Sequence, residues 1–162
     1  MHQNNKTHFK SKIWKNLKKN NYKTIYKKFD KSESNLHNTY SKNFRHNVKR
    51  SLKYNLKTRI NNSPNIKEIY NLYLNMKNFK KLLGKITYDK LKSKIITLDK
   101  NCICFETRKD NNLLSFRAII ISNNMAWDYI AFTTFNGRKN YASYQLINYI
   151  FEYCKNNNIK YY

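Results

Sequence analysis

Three apolar segments near the middle of the chain, separated by asparagine-rich breaks, constrain the fold more than any other feature. Cys102–Arg108, Leu113–Ser122 and Met125–Phe132 are rich in β-branched and aromatic residues, as strands are. Asp110-Asn111-Asn112 and Asn123-Asn124 lie between them, and asparagine tolerates the left-handed backbone conformation that tight hairpin turns require. The pattern therefore predicts an antiparallel meander of three strands.

Two segments with helical periodicity precede this meander. Ser63 followed by Pro64 fits an N-cap and a first helical turn, and an apolar stripe continues from there to about Lys81. Thr87 is predicted to cap a second helix. The side chains expected to face the core from these two helices are Ile66, Ile69, Tyr70, Tyr73, Met76, Leu91, Ile95 and Ile96.

A third helix is predicted after the meander. A polar loop, Thr133–Asn140, leads into a segment of helical periodicity that runs from Tyr141 to about Lys155. Its expected core positions are Ile147, Ile150 and Cys154.

Two further strand-like segments complete the order of elements. Leu56–Ile60 precedes the helices, and Ile159–Tyr162 follows the last one, so it can lie parallel to the third meander strand. The order is then strand, helix, helix, three strands, helix, strand. It predicts an α+β, or mixed α/β, fold with one largely antiparallel sheet flanked by helices.

The segment Ser41–Lys53, with the sequence SKNFRHNVKRSLK, is predicted to form a basic amphipathic helix. Ser32 fits the N-cap of a longer helix that includes this segment, and a second cap at Ser41 would bend that helix. The apolar stripe, with a spacing of four residues, is formed by Leu36, Tyr40, Phe44, Val48 and Leu52.

Cationic side chains cover the rest of this predicted helix. At about 100° per residue, Lys42, Lys49 and Lys53 lie nearly opposite the apolar stripe, and Arg45 and Arg50 lie on its flanks. Such a face suits a polyanion. The simpler interpretation is a packed helix whose cationic face is only solvated.

The overall charge also favours an anionic partner. Lys and Arg total 33 against nine Asp and Glu, which gives a formal net charge of +24. Abundant Lys, Asn, Ile and Tyr with few Gly and Pro is the skew of an A/T-rich coding sequence, which inflates the lysine count but does not explain the scarcity of acids. RNA, a phosphorylated donor and an acidic membrane face are the expected partners.

Several classes of protein are not expected. No run of apolar residues is long enough to span a membrane, and the N-terminus lacks the apolar core of a secretory signal. The default location is the cytoplasm, with the inner membrane face as a second expectation. The three cysteines and four histidines lack metal-ligand spacing, so we expect reduced, buried thiols, no metal site and no tightly bound cofactor.

The chain divides by composition into three parts. Residues 1–21 form a basic arm, within which 9–19 fits a short amphipathic helix or a frayed segment. Residues 22–55 contain a strand-like segment, Tyr22–Phe29, and the basic linking helix. Residues 56–162 hold the predicted sheet and its helices.

The basic segment resembles a known signature. SKNFRHNVKRSLK is similar to the K-N-x-R-x-N-[IV]-[KR]-[KR]-A-x-K pattern of the Fem-type peptidoglycan-bridge aminoacyltransferases, and the flanking strand, hairpin and helix segments agree. Ser51 stands where alanine is usual. The matching residues are Lys42, Asn43, Arg45, Asn47, Val48, Lys49, Arg50 and Lys53.

This resemblance implies a GNAT-like fold and the transfer of an acyl or aminoacyl group to an amine, as in the modification of a cell-wall precursor. It covers residues 22–162, without the family's first domain and without its closing C-terminal hairpin. It therefore implies an incomplete acyltransferase core, either a fragment, a split subunit or a degenerate copy. The matching polar and charged residues of the basic helix are the implied polyanion-binding set.

The resemblance also implies a place for the donor. In the GNAT fold the donor's phosphates lie against the helix that follows the fourth strand, because a helix N-terminus offers unpaired N–H groups. The common R-x-x-G-x-[GA] loop is absent, so aminoacyl-tRNA is the expected donor and acyl-CoA the alternative. A solvated loop is the simpler interpretation. The implied donor residues are Thr134, Gly137, Arg138, Lys139 and Ser143.

Asp128 and Tyr129 are the candidate catalytic residues. Acyl transfer to an amine requires removal of a proton from the amine, and Asp128 is the only acid in the apolar hairpin strand. Tyr129 could act as an acid. The two side chains are expected on opposite faces of the strand, so at most one faces a common cleft. The alternative for Asp128 is a structural pairing with a cation.

Two other functions compete with a transferase. The first is a non-catalytic RNA-binding module that uses the basic helix and the tyrosine-rich surface. The second is attachment to an anionic membrane through residues 6–19.

Overall fold

A computed structural model of the chain describes residues 27–29, 36–97 and 102–162. Its centre is a four-stranded antiparallel sheet in the order β1-β2-β3-β4, with helices on both faces. The basic arm, Ser32 and most of the predicted Tyr22–Phe29 strand lie outside the described residues. The elements are α1 (Lys42–Ser51), β1 (Lys57–Ile60), α2 (Ile66–Lys80), α3 (Tyr88–Ile96), β2 (Cys102–Lys109), β3 (Asn112–Ser122), β4 (Met125–Thr133), α4 (Phe135–Lys139) and α5 (Ala142–Asn156).

The meander is confirmed, and asparagine forms most of its turns. Asp110 and Asn111 connect β2 to β3 with φ of 47° and 66°, and Asn123 and Asn124 connect β3 to β4 with 50° and 62°. Two consecutive residues with positive φ match the right-handed twist of the flanking strands. The asparagine breaks therefore set the register of the meander.

The pairing of β3 with β4 contains an irregularity. Ala118 pairs with Ile130, and the next residue, Ile119, pairs with Asp128. Tyr129 is therefore the additional residue of a β-bulge, which bends the strand locally.

Helices α2 and α3 pack on one face of the sheet. The prediction of their core side is confirmed for Ile69, Tyr73, Met76, Leu91 and Ile95, all of which are buried. Two details are wrong. Ile96 is exposed because α3 ends there, and Asn65 rather than Ser63 caps α2, since the Asn65 side chain accepts a hydrogen bond from the Glu68 amide at 3.2 Å.

An ion network crosses this same face. Glu106 is only 1 % exposed, and its carboxylate accepts hydrogen bonds from Arg59 (2.7 Å), Asn61 (2.8 Å) and Arg108 (3.0 Å). Arg108 also donates to Glu68 of α2 at 2.8 Å. The network therefore joins β1, β2 and α2, and every oxygen of the buried carboxylate has a donor.

Helices α1 and α5 pack on the opposite face. Leu146, Ile150 and Cys154 of α5 are fully buried, so the expectation for Ile150 and Cys154 is confirmed. The expectation for Ile147 is wrong, since this residue is half-buried and Leu146 takes the core position.

The predicted four-residue stripe does not lie on one continuous helix. Leu36 begins a short 3-10 turn, Leu36–Thr39, and Ser41 then caps α1 by accepting a hydrogen bond from the Phe44 amide at 3.2 Å. The alternative with a second cap is therefore the correct one. Leu52 leaves the stripe because the chain enters a 3-10 turn there, and its side chain is 71 % exposed.

The ends of the described chain meet at the edge of the sheet. Tyr161 forms a parallel bridge with Met125 and an antiparallel bridge with Lys28. The predicted strand Ile159–Tyr162 is present only as this bridge, in the parallel orientation to β4 that was expected. The polar loop predicted at Thr133–Asn140 is largely wrong, because Thr133 ends β4 and α4 occupies most of the remainder.

Candidate functional site

A cleft of about 430 Å³ opens between the N-terminus of α1, the middle of α5 and the strands β3 and β4. We call it the Asp128 cleft. Phe44 and Phe151 form its apolar wall, with ring centroids 5.7 Å apart. Its polar lining includes Lys27, Tyr40, Arg117, Asp128 and Tyr162.

Asp128 is paired with a half-buried arginine, Arg117. Arg117 donates one Nη1 to the Asp128 carboxylate and to the Tyr162 hydroxyl, the latter at 3.2 Å. Burial lowers the pKa of Arg117, but its interactions with Tyr162 and Asp128, which include a hydrogen bond to each, outweigh burial and raise that pKa overall. Burial also raises the pKa of Tyr162, so its hydroxyl stays protonated at neutral pH. The carboxylate is thus fixed in place by Arg117, and its side chain remains 36 % exposed to the cleft.

The pairing of Asp128 with a cation agrees with the structural alternative considered for this residue. Asp128 nevertheless lines the cleft, so the ion pair leaves this residue within the candidate site. Arg117 was not singled out from the sequence. A lone arginine inside the apolar run of β3, LLSFRAIII, was the signal that could have found it.

Tyr40 lines the cleft and carries a buried hydroxyl that lacks a hydrogen-bond partner among the described residues. The side chain is 6 % exposed. Burial, followed by the nearby Glu152 carboxylate, raises the pKa of Tyr40, so the hydroxyl is a neutral donor. Buried hydroxyls normally have partners. The sequence predicts Tyr40 as a member of the apolar stripe, and it does not indicate that its hydroxyl is buried without a described partner.

Tyr129 lies away from this cleft. The Lys94 ammonium of α3 sits 5.2 Å from the centroid of the Tyr129 ring, which places Tyr129 on the α2–α3 face. Asp128 pairs with Ile119, whose side chain packs with the α5 core. The two candidate catalytic residues therefore lie on opposite faces of the sheet, as expected. Of the two, only Asp128 lines the cleft.

The basic helix α1 presents most of its predicted polyanion-binding residues to solvent. Asn47 differs, because it is 7 % exposed and donates its amide to Asn43 at 3.2 Å. Asn47 therefore supports the helix from inside. The exposed members, which we call the α1 basic surface, are Lys42, Asn43, Arg45, Lys49, Arg50 and Lys53.

Aromatic rings lie among the cations where α1 meets α5. Arg50 donates to the Tyr141 hydroxyl at 3.0 Å, and its guanidinium is 5.5 Å from the centroid of that ring. Tyr141 also lies 6.2 Å from Tyr54, over which the Lys109 ammonium is placed at 6.0 Å. Alternating cations and aromatic rings suit the phosphates and bases of a nucleic acid.

The residues predicted to bind the acyl donor do not lie together. Four of them lie in or next to α4, and Ser143 lies in α5. Gly137 donates its amide to the Thr134 hydroxyl at 2.9 Å, and a Cβ at Gly137 would collide with the Leu114 carbonyl. These two residues therefore build the β4–α4 turn. Arg138 and Lys139 lie over the rings of Phe79 (5.4 Å) and Phe135 (4.5 Å), near α2.

Ser143 is the member of the predicted donor set that lies on the α1 side. It belongs to the first turn of α5, which begins without a side-chain cap, and its neighbour Tyr144 contacts Phe44 with centroids 5.8 Å apart. The uncapped N-terminus of α5 and the α1 basic surface thus adjoin each other through Tyr141 and Arg50.

Within the described residues, no helix has the length and apolar character needed to cross a bilayer. The same residues contain no group of three His, Cys, Asp or Glu side chains placed to hold a metal ion. Cys104 and Cys154 are buried thiols, and Cys102 is partly exposed.

No protein-family model matches the chain, and no curated protein sequence matches it. Solved structures do. The chain is similar to the C-terminal domain of an Agrobacterium fabrum protein described as a lysylphosphatidylglycerol synthetase, with 13% identity and a TM-score of 0.55 over 74% of this chain. L-PGS from Bacillus licheniformis gives 14% identity and the same TM-score over 74% of this chain.

A GNAT-family acetyltransferase from Staphylococcus aureus Mu50 is also similar, with 17% identity and a TM-score of 0.53 over 64% of this chain and 68% of that one. The chain spans 39% and 38% of the lengths of the two synthetase structures. At these identities the likeness concerns the fold, and the narrower Fem-type resemblance is not confirmed. The chain has a GNAT-like mixed α/β fold.

Proposed function

We propose that this chain is an acyltransferase domain of the GNAT type that moves an acyl or aminoacyl group from an anionic donor to an amine. The observation that carries the proposal is the position of α1. Its N-terminal end, at Ser41 and Phe44, lines the Asp128 cleft, and its C-terminal half presents Lys49 and Arg50 to solvent. One helix of about 15 Å therefore connects a reaction cleft to an anion-binding surface.

The donor that this arrangement favours is aminoacyl-tRNA, with acyl-CoA as the alternative. A nucleic acid end lying along the α1 basic surface would place its phosphates on the cations and its bases against Tyr54 and Tyr141. The esterified group would then reach the cleft. One structural neighbour is named for lysylphosphatidylglycerol, an aminoacylated lipid, which supports an aminoacyl donor.

In this proposal the cleft supplies a proton acceptor and a hydrogen-bond donor for the reaction. The amine attacks the ester carbonyl, a C–N bond forms, and the C–O bond to the donor breaks. Asp128 is placed to orient the amine and to accept its proton, which finally passes to the leaving hydroxyl. Our candidate for the hydrogen-bond donor to the developing oxyanion is the neutral Tyr40 hydroxyl, which is buried beside the cleft without a partner among the described residues and has to be uncovered as the substrate binds.

The acceptor we propose is an amine of a cell-wall precursor, as the Fem-type resemblance implies. The test incubates the purified chain with tRNA charged with labelled amino acids, or with labelled acetyl-CoA, and with an amine-bearing muropeptide. Labelled product is expected from one donor. Asp128→Asn and Tyr40→Phe should each reduce the rate about 100-fold or more. The matched control is Tyr129→Phe, which changes a tyrosine on the opposite face and should preserve the rate.

A non-catalytic RNA-binding module is the second candidate, favoured by the alternation of Arg50, Tyr141, Tyr54 and Lys109. If about five phosphates are engaged, log K for RNA should fall with log salt with a slope of about −3.5 to −4.5. Tight binding of uncharged RNA with that slope, together with no transfer from either donor, would establish this candidate and reject the transferase.

A further inference from the structure

The loop between α2 and α3 carries two exposed leucines, and we call residues 81–87 the Leu83 loop. Leu83 is 101 % exposed and Leu82 is 40 % exposed. A Cβ added at Gly84 would meet nothing within 4 Å, so the chain next to the two leucines also faces open space. An apolar side chain held out in water is unfavourable unless something covers it.

Specific contacts hold this loop in its projecting position. Tyr73, which is 3 % exposed, accepts a hydrogen bond from the Ile86 amide at 2.8 Å and donates to the Gly84 carbonyl at 3.2 Å. Lys81 ends α2 in the left-handed conformation, and the Leu82 amide donates back to the Lys77 carbonyl at 3.1 Å. The two leucines therefore lie on a turn whose conformation is fixed by hydrogen bonds.

The surroundings of the two leucines are strongly cationic. Lys77, Lys80, Lys81 and Lys85 lie in the sequence from Lys77 to Tyr88, which contains no acidic residue. The same end of α2 carries a second group of apolar rings and cations. Phe79 lies 5.9 Å from the exposed Phe135, and Arg138 and Lys139 lie over these two rings.

We propose that the Leu83 loop is a docking surface for an anionic lipid bilayer, into which Leu82 and Leu83 insert while the surrounding lysines bind lipid phosphates. A projecting apolar tip fits a fluid surface that deforms around it, whereas a folded protein partner would need a matching groove. Mobile lipid head groups also satisfy lysines that have no fixed geometry. A second copy of the chain is a poor occupant, because two molecules of charge +24 repel each other.

This surface is distinct from the basic arm at residues 6–19, which lies outside the described residues. The inference is also independent of the proposed transferase, because it concerns membrane binding alone. A vesicle-binding result and a transfer result can therefore succeed or fail separately.

The test measures sedimentation of the full chain with vesicles of phosphatidylcholine, with and without phosphatidylglycerol. We expect binding only to the anionic vesicles. Leu82→Ser with Leu83→Ser should weaken that binding about tenfold or more, since two leucines lose their insertion while every charge is kept. Lys81→Gln with Lys85→Gln should weaken it about fivefold per lysine.

Leu52→Ser is the matched control. Leu52 is also exposed, at 71 %, and it follows Lys49 and Arg50, so it tests whether any leucine in a basic setting has the same effect. It should change binding by less than about twofold. Because all three leucines are exposed, thermal unfolding of the variants should match that of the unchanged chain.

Insertion itself can be measured with Leu83→Trp and Leu52→Trp, using vesicles that contain brominated lipid. The brominated lipid is expected to quench the fluorescence of the added tryptophan in Leu83→Trp, and not that of the added tryptophan in Leu52→Trp. Absence of binding to anionic vesicles, equal binding by the double leucine variant, or equal loss from Leu52→Ser would overturn the proposal. Leucine-dependent binding to soluble polyglutamate but not to vesicles would instead assign the loop to an acidic protein partner.

Discussion

The two faces of the sheet differ in whether their buried polar side chains have hydrogen-bond partners. On the α2–α3 face the buried Glu106 carboxylate has three hydrogen-bond donors, and the buried Tyr73 hydroxyl has two partners. On the α1–α5 face, Tyr40 Oη, Gln145 Oε1 and Asn148 Oδ1 are buried without a partner, and they are the only such side-chain atoms among the described residues. The buried polar side chains of the first face are thus fully paired, whereas three on the second face each keep one buried atom without a partner.

This difference in hydrogen bonding between the two faces affects the stability of the fold. A buried polar atom without a partner destabilises the fold by about 1–3 kcal/mol, so a chain that keeps several on one face retains them for a reason other than stability. Arg117 and Asp128 line the same side, within the cleft that Tyr40 borders. The unpartnered atoms and the proposed reaction cleft therefore lie on the same face of the sheet.

The largest expected effect is on the ion network of the first face. Glu106→Gln leaves Arg59 and Arg108 without their shared carboxylate and should lower the free energy of unfolding by about 3 kcal/mol. Urea denaturation monitored by circular dichroism measures this change. Asp128→Asn is the matched control on the second face, and it should change stability by less than about 1 kcal/mol because that pair is partly exposed.

The pH dependence of stability should also come from the first face. Burial raises the pKa of Glu106, but its bonds and charge interactions with Arg108, Arg59 and Asn61 outweigh burial and lower the pKa overall. A lowered pKa means that the folded state binds the proton less readily, so this stabilisation is complete above the unfolded value of about 4.3. It should disappear as pH falls through the folded pKa below that value. Denaturation curves between neutral and acid pH should show this loss, and Glu106→Gln should abolish most of it.

A pair of tyrosine variants tests the comparison most directly. Tyr73→Phe removes a hydroxyl with two partners and should destabilise the protein by about 1.5 kcal/mol. Tyr40→Phe removes a hydroxyl that has no partner among the described residues, and it should raise the free energy of unfolding by up to about 1 kcal/mol. Both residues are almost fully buried, so opposite signs in thermal or urea unfolding report on hydrogen bonding. Equal destabilisation by the two variants would contradict the assignment of the unpaired hydroxyl.

The smallest expected effect on stability is at Arg50. This residue is exposed, and Arg50→Gln should change the free energy of unfolding by less than about 0.5 kcal/mol. RNA binding should nevertheless weaken, with the slope of log K against log salt reduced by about 0.7 to 0.9 in magnitude. Fluorescence anisotropy at several salt concentrations provides this measurement. An unchanged slope would show that the α1 basic surface is only solvated.

Much of the fold could be predicted from the sequence because it depends on local chemistry. The asparagine turns, the strands between them and the caps at Ser41 and Thr87 require only near neighbours in the chain. The bulge at Tyr129 could not be predicted, since the register of β4 depends on its partner β3. The extent of α4 was missed because close packing of Gly137 on the Leu114 carbonyl requires the folded sheet.

The candidate site was only partly predictable for the same reason. The exposed cations of α1 follow from helical spacing, and Asp128 follows from being the lone acid in an apolar strand. The burial of Asn47 and the unpaired hydroxyl of Tyr40 depend on how α1 packs against α5. The sequence does not show whether a tyrosine hydroxyl at an apolar position will have a hydrogen-bond partner in the folded protein.

The two asparagine turns also determine how this fold can vary in evolution. Each is a two-residue connection with both φ positive, so an insertion or deletion there would shift one strand against the next by one position. In β3 such a shift would move Arg117 toward the α2–α3 core and Phe116 toward the cleft. We therefore expect relatives to differ in the meander by substitution alone. Changes in length should be confined to the connections before α2, between α2 and α3, and after β4.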